Sequence, residues 1–120
     1  VISILSVDDS KAVHAYLRSC FDDKVYDLHH ALSGKEAINL LKNNLTKYQI
    51  ILLDWEMPDL SGPETLVELK KLGVTVPIIM VTTRNKEQDI KAVLEKGASE
   101  FVMKPFTADI IQQKVQDFLG

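Results

Sequence analysis

With a single cysteine, Cys20, the 120-residue chain cannot form an internal disulfide, which suits a reducing compartment. The lone thiol lies on a stretch of helical spacing and reads as a small packed hydrophobe, not a redox centre. No apolar run approaches the ~20 residues that span a bilayer. The opening run over residues 1–7 is too short for a secretion signal and lacks its basic start. A cytoplasmic location without membrane contact is therefore expected. Positive charge is not in excess either: Lys+Arg number 14 against Asp+Glu 17, for a net charge of −3. Nucleic-acid binding needs a clustered positive field, so no direct nucleic-acid contact is expected. Linkers, repeats and low-complexity tracts are missing too. Hydrophobic residues make up 46%, enough for a core, and the length suits one domain over residues 1–120.

The most informative stretch is 50–58, Ile-Ile-Leu-Leu-Asp-Trp-Glu-Met-Pro. Four aliphatic residues run into Asp54 and a proline follows, the pattern of a strand buried on both faces. An ionised carboxylate at that exit must be paired, metal-bound or open to a cleft. Strands are predicted over 2–7, 25–32 (an edge strand), 48–54, 76–81 and 100–103. Helices are predicted over about 10–21, from Ser33-Gly34 to Leu45, from the cap Ser61 to Gly73, from the cap Asn85 to Gly97, and from the cap Thr107 to the end. Ser61 and Glu64 form a candidate capping box. Leu66, Leu69 and Leu72, then Ile90, Val93 and Leu94, then Ile111, Val115 and Phe118 are the expected inward stripes of the last three helices. Five alternations of strand and helix predict a parallel sheet covered on both faces. Ligands of such sheets bind outside the carboxyl ends of the strands.

Each strand but the second leaves a chemical group at that edge: Asp8-Asp9, Asp54, Thr82-Thr83 and Lys104-Pro105. Taken singly, Asp8 and Asp9 fit helix caps, Thr82 a strand residue and Lys104 a turn residue. Together they fit phosphoryl transfer onto a carboxylate. Clustered aspartates suit a hard divalent cation, Lys104 and Thr82 suit phosphoryl oxygens, and Asp54 suits a nucleophile. The histidines His14, His29 and His30 do not form a metal set, because adjacent strand residues point oppositely. They are expected at the surface or partly packed. Trp55, beside Asp54, is a wall residue and a candidate fluorescence reporter.

Asp8-Asp9, Asp54 in its Leu-Leu-Asp-Trp-Glu-Met-Pro setting, Thr82 and Lys104-Pro-Phe106 together resemble the receiver domain of two-component response regulators, most of all the single-domain chemotaxis-type regulators. The resemblance implies a flavodoxin-like, doubly wound α/β fold, a five-stranded parallel sheet of order 2-1-3-4-5 with five helices. It implies that Asp54 accepts a phosphoryl group from the phosphohistidine of a histidine kinase or phosphotransfer protein. It assigns Mg²⁺, with Mn²⁺ able to substitute, to Asp9, Asp54 and the main-chain carbonyl of Glu56, with Asp8 acting through water. Lys104 and the Thr83 backbone N–H would contact the phosphoryl group, and the peptide before Pro105 would be cis. Thr82 would be the switch hydroxyl and Phe101 the aromatic that follows it. A downstream protein would read the face of helix four, strand five and helix five, with Lys114 a candidate contact. No helix-turn-helix follows helix five, so a DNA-binding output is not expected.

Thr83 departs from the family's usual alanine or glycine. Glu56 and Arg84 stand at the variable positions flanking the site, where an ion pair between them is a candidate control on autodephosphorylation. Two other functions compete with the signalling switch. An aspartyl-nucleophile phosphatase typically wants an aspartate two residues after the nucleophile, where this chain has Glu56. A docking module that is never phosphorylated would not need the acidic pair, acceptor, threonine and lysine together.

Overall fold

The computed structural model describes residues 1–119. Its elements alternate throughout: β1 (Ile2–Val7), α1 (Lys11–Cys20), β2 (Tyr26–Ala31), α2 (Gly34–Leu41), β3 (Ile50–Asp54), α3 (Gly62–Leu72), β4 (Ile78–Thr82), α4 (Glu87–Glu95), β5 (Glu100–Met103) and α5 (Ala108–Leu119). The strands form one parallel sheet in the order β2-β1-β3-β4-β5. Strand order reverses between β1 and β3, which opens a crevice at their carboxyl ends.

Strand side chains alternate between faces, and the core divides accordingly. Leu5, Val7, Ile51, Leu53, Ile78 and Met80 pack with Ala37, Leu41, Leu66, Leu69 and Val93, which belong to α2, α3 and α4. Ile4, Ile50, Leu52, Ile79, Val81 and Val102 pack with Leu17, Cys20, Ile111 and Val115 of α1 and α5. Burying each of the Val, Leu, Ile and Met side chains contributes about 1.5–3 kcal/mol, so the two faces lock the sheet between two helical layers.

Helix starts follow local chemistry. Ser61 accepts from the Glu64 N–H while the Glu64 carboxylate accepts from the Ser61 N–H, a complete capping box. Ser10 and Ser33 cap α1 and α2, and Thr107 Oγ1 accepts from the Ile110 N–H. Gly73 and Gly97 end α3 and α4 at φ 100° and 112°, a left-handed conformation that costs other residues.

Several expectations are corrected. α4 starts after Lys86, which makes no side-chain cap bond, and not after Asn85. The two acidic residues of its first turn, Glu87 and Asp89, favour that end electrostatically instead. α2 stops at Leu41 instead of Leu45, since Asn44 turns the chain by bonding the Thr46 N–H. β4 is shifted to Ile78–Thr82. Pro77 precedes the ladder and serves it only as an acceptor, its carbonyl taking the Ile51 N–H. Leu72, Leu94 and Phe118 are exposed, because helices at a domain surface bury a stripe narrower than their apolar content.

Gly62 is required by space. A Cβ there would lie 2.2 Å from the Asp54 carbonyl oxygen and 2.8 Å from the Trp55 Cα. This close approach seats α3 on the end of β3, and the Gly62 N–H donates to the Trp55 carbonyl at 2.7 Å. Gly62→Ala is expected to lower unfolding free energy by on the order of 3 kcal/mol, against about 1 kcal/mol for Gly73→Ala. Urea unfolding of both variants checks the order, with a shifted midpoint and an unchanged m-value.

Candidate functional site

The faces of the sheet also sort the groups at its carboxyl edge. Ile50 and Leu52 face α1 and α5, and Asp54 continues that side. Ile4 does the same in β1, and Asp8 continues its parity beyond the strand end. Val102 faces the same layer, and Lys104 lies two residues on. Lys104 Nζ accordingly lies 2.9 Å from Asp54 Oδ1 and 3.0 Å from Asp8 Oδ2. One ammonium joins two carboxylates from strands far apart in sequence. Asp54 is 7% exposed and Asp8 3%, so these are buried ionic contacts, and losing the one ammonium that serves both carboxylates would cost far more than losing a surface pair.

Asp9 is exposed, and one carboxylate oxygen from each of Asp8, Asp9 and Asp54 lies within 4.8 Å of the other two. Burial raises the Asp54 pKa above the usual carboxylate value. Asp8 adds to this, while Lys104 pulls against it. For Lys104, burial alone would lower the pKa, but its bonds to Asp54 and Asp8 outweigh that and hold it above the usual lysine value. A single ammonium among three carboxylates leaves negative charge uncompensated. The donors are all hard oxygens, and the set fits a hard divalent cation.

Thr82 and Phe101 fall on the other face of the sheet, towards α3 and α4. Thr82 is 2% exposed, and its Oγ1 accepts from the Arg84 N–H at 2.9 Å. That leaves its own O–H as a donor. Phe101 is half-buried against the same core layer. Thr83 is exposed, and the Lys104–Pro105 peptide is cis. Glu56 and Arg84 form an ion pair beside Trp55: Arg84 Nε lies 2.9 Å from Glu56 Oε1, and the guanidinium stands 4.8 Å from the centre of the Trp55 ring. Arg84 also reaches Asp89 of α4 at 3.6 Å. Lys114 is paired with Glu100 at 3.1 Å.

His14 is the residue that sequence reasoning misplaced. It is not at the surface but 3% exposed, with Nε2 2.7 Å from the Asp8 main-chain oxygen. His29 and His30 do point apart: His29 contacts the Tyr48 hydroxyl, and His30 stacks on His14. The signal for His14 was its helical spacing with Leu17 and Phe21, which marks an inward face.

A doubly wound sheet carrying an acidic cluster crossed by a lysine at its carboxyl edge defines a receiver-type signalling domain. The chain belongs to the response regulator receiver domain family, whose pattern it matches over residues 4–116. It is 31% identical over 125 residues to the chemotaxis protein CheY homolog of Campylobacter jejuni, spanning 99% of this chain and 93% of that one. It is 31% identical over 116 residues to the response regulator SaeR of Staphylococcus aureus, spanning 97% of this chain and 50% of that one. Among solved structures, it resembles the CheX-CheY-BeF3-Mg complex of Borrelia burgdorferi with a TM-score of 0.92 and 29% identity, covering 99% of this chain and 90% of that chain.

The raised Asp54 pKa has a signed consequence. The folded chain holds that proton more tightly than the unfolded chain, so this group's contribution falls as pH rises from the ordinary carboxylate range through the raised value. Above that raised value the cost is fully present. Without divalent ions at pH 7, Asp54→Asn is expected to raise Tm by a few degrees, as on the order of 1 kcal/mol does in a small domain. The advantage shrinks as pH falls towards about 4. Thermal unfolding across that range checks it, and a variant no more stable than the parent at pH 7 counts against it.

Proposed function

We propose that residues 1–120 act as one receiver domain whose Asp54 carboxylate takes a phosphoryl group from a phosphohistidine of a histidine kinase or phosphotransfer protein. The observation that carries this is the Asp8–Lys104–Asp54 bridge beside Asp9 at the strand-order reversal. An Asp54 oxygen attacks phosphorus, the phosphorus–nitrogen bond breaks, and the histidine leaves with the bonding pair. Lys104 meets charge on the phosphoryl oxygens, and the Thr82 hydroxyl and the Thr83 N–H donate to them. Asp9, Asp54 and the Glu56 main-chain carbonyl would hold Mg²⁺ or Mn²⁺, with Asp8 acting through water. The ion supplies positive charge that offsets repulsion between the acceptor and the incoming group. The chain promotes only its own phosphorylation and dephosphorylation.

The phosphoryl group binds better to the arrangement in which Thr82 has moved towards it and Phe101 has turned inward, and so shifts the population. The face of α4, β5 and α5 then presents a changed surface to a downstream protein. Exposed Leu94 and Ile110 lie on those helices and suit a protein partner better than a membrane or a nucleic acid. The same reading places the domain in the cytoplasm, where its kinase works.

Incubation with acetyl phosphate and Mg²⁺ is expected to give a stoichiometric, base-labile adduct that Asp54→Asn abolishes. Continuous turnover would point to a phosphatase, and no adduct to a docking module. With Mg²⁺ at ten times its dissociation constant, binding is expected to stabilise the parent by about 1.4 kcal/mol, and Asp9→Asn to lose that gain. The Arg84–Glu56 pair is solvent-exposed and contributes only about 0–1 kcal/mol. Arg84→Ala and Glu56→Ala should therefore leave stability nearly unchanged while speeding phosphate release several-fold, by uncovering the site. Unchanged release in both would remove the pair as a control.

A further inference from the structure

Asp8 is held at every polar atom. Its N–H donates to the Ala31 carbonyl at 3.1 Å. Its Oδ1 accepts from the Ser10 N–H at 2.8 Å and its Oδ2 from Lys104 at 3.0 Å. Its main-chain oxygen lies 2.7 Å from His14 Nε2. A carbonyl can only accept, so Nε2 carries a hydrogen whatever the charge on the ring.

The opposite ring nitrogen, Nδ1, is buried without a partner among the described residues. Leaving a buried polar atom unpaired is costly, and an aliphatic side chain of similar volume would avoid it. The one polar contact that repays an imidazole here is the bond to Asp8. The ring is also held flat by its neighbour: His30 of β2 stacks on it with centroids 4.4 Å apart at 27°. Arg18, one turn further along α1, lies 3.4 Å from His30 Nδ1. A packed series therefore runs from the exposed side of α1, through β2, to the main chain of the acidic loop.

We propose that His14 is a positioning residue: its Nε2–H, bound to the Asp8 carbonyl, fixes the Asp8–Asp9 loop so that the two carboxylates reach the cation and phosphoryl site together. The cation part of this inference rests on the receiver reading above. The fixing of the loop does not.

Two variants separate the possibilities. His14→Leu keeps volume and removes the donor. His14→Gln places an amide N–H₂ near the position of Nε2. Amide hydrogen exchange without metal reads the loop itself. His14→Leu is expected to lose about tenfold protection at the Asp8 and Ser10 amides, and His14→Gln to recover most of it. Mg²⁺ titration followed by Trp55 fluorescence reads the consequence: affinity about tenfold weaker in His14→Leu, as for other groups that orient metal ligands, and within about threefold of the parent in His14→Gln. Urea unfolding in EDTA is expected to show a midpoint for His14→Leu close to the parent's, because removing the unpaired Nδ1 offsets leaving the Asp8 carbonyl without its donor.

Unchanged exchange at Asp8 and Ser10 in His14→Leu overturns the proposal. So does equal loss in both variants in step with lost stability, which would make His14 a packing residue only. Should the parent itself fail to bind Mg²⁺ while exchange still depends on the donor, the proposed cation-dependent function falls and the fixing of the loop stands.

Discussion

Everything at the carboxyl edge depends on one ammonium held between two buried carboxylates. Parallel packing brings the ends of β1 and β3 side by side, and with them Asp8 and Asp54. Unpaired, two such charges would repel each other and face a desolvation penalty that the sheet could not carry. Lys104 reaches both from the end of β5, and so makes an ionised acidic edge compatible with a folded sheet. The compensation is incomplete. Asp54 remains harder to ionise than an ordinary aspartate even with Lys104 bound. Charge remains for something positive to meet, and Asp9, the exposed member of the acidic cluster, adds to it.

Much of this geometry was legible because it follows a period of two. Once 50–54 is a strand buried on both faces, Ile50, Leu52 and Asp54 must share a side, as must Ile4 with Ser6, and Ile79 with Val81. Turn chemistry was equally direct at Ser61 and Glu64, and at Gly73 and Gly97, where one residue type answers one backbone demand. What was not legible depends on neighbours distant in sequence. Gly62 looks like a turn glycine until the Asp54 carbonyl is placed against it. His14 looks like a polar residue on a helix until the Asp8 oxygen appears beside it. The caps and outward faces were misjudged for a related reason. Asn85 is a better cap than Lys86 by propensity, yet the chain leaving Thr82 sets where α4 can begin. Leu94 and Phe118 match the helical period, yet no layer covers them.

Two kinds of ion pair near the site differ in what they can do. The Lys104 contacts are largely withdrawn from water, so their geometry is energetically enforced. The Arg84 contacts are exposed, with side chains 40% and 65% accessible in the Glu56 pair, and are individually worth about 0–1 kcal/mol. The first kind can define a structure. The second can cover a site and still release it at little cost.

That difference bears on the proposed switch. Arg84 touches the acceptor loop through Glu56 and Trp55, α4 through Asp89, and Thr82 through its own N–H. These contacts make it a candidate hinge between the site and the proposed output face. Its magnitude argues otherwise. Reversing a population from 1:99 to 99:1 takes about 5.5 kcal/mol of differential binding, beyond what exposed pairs of this size supply. On the proposed function, that bias falls instead to groups withdrawn from water, the buried Thr82 hydroxyl and the half-buried Phe101 against the α3 and α4 layer. The role proposed for Arg84, control of the rate at which water reaches Asp54, is a kinetic one that weak, solvent-exposed contacts are well able to fill.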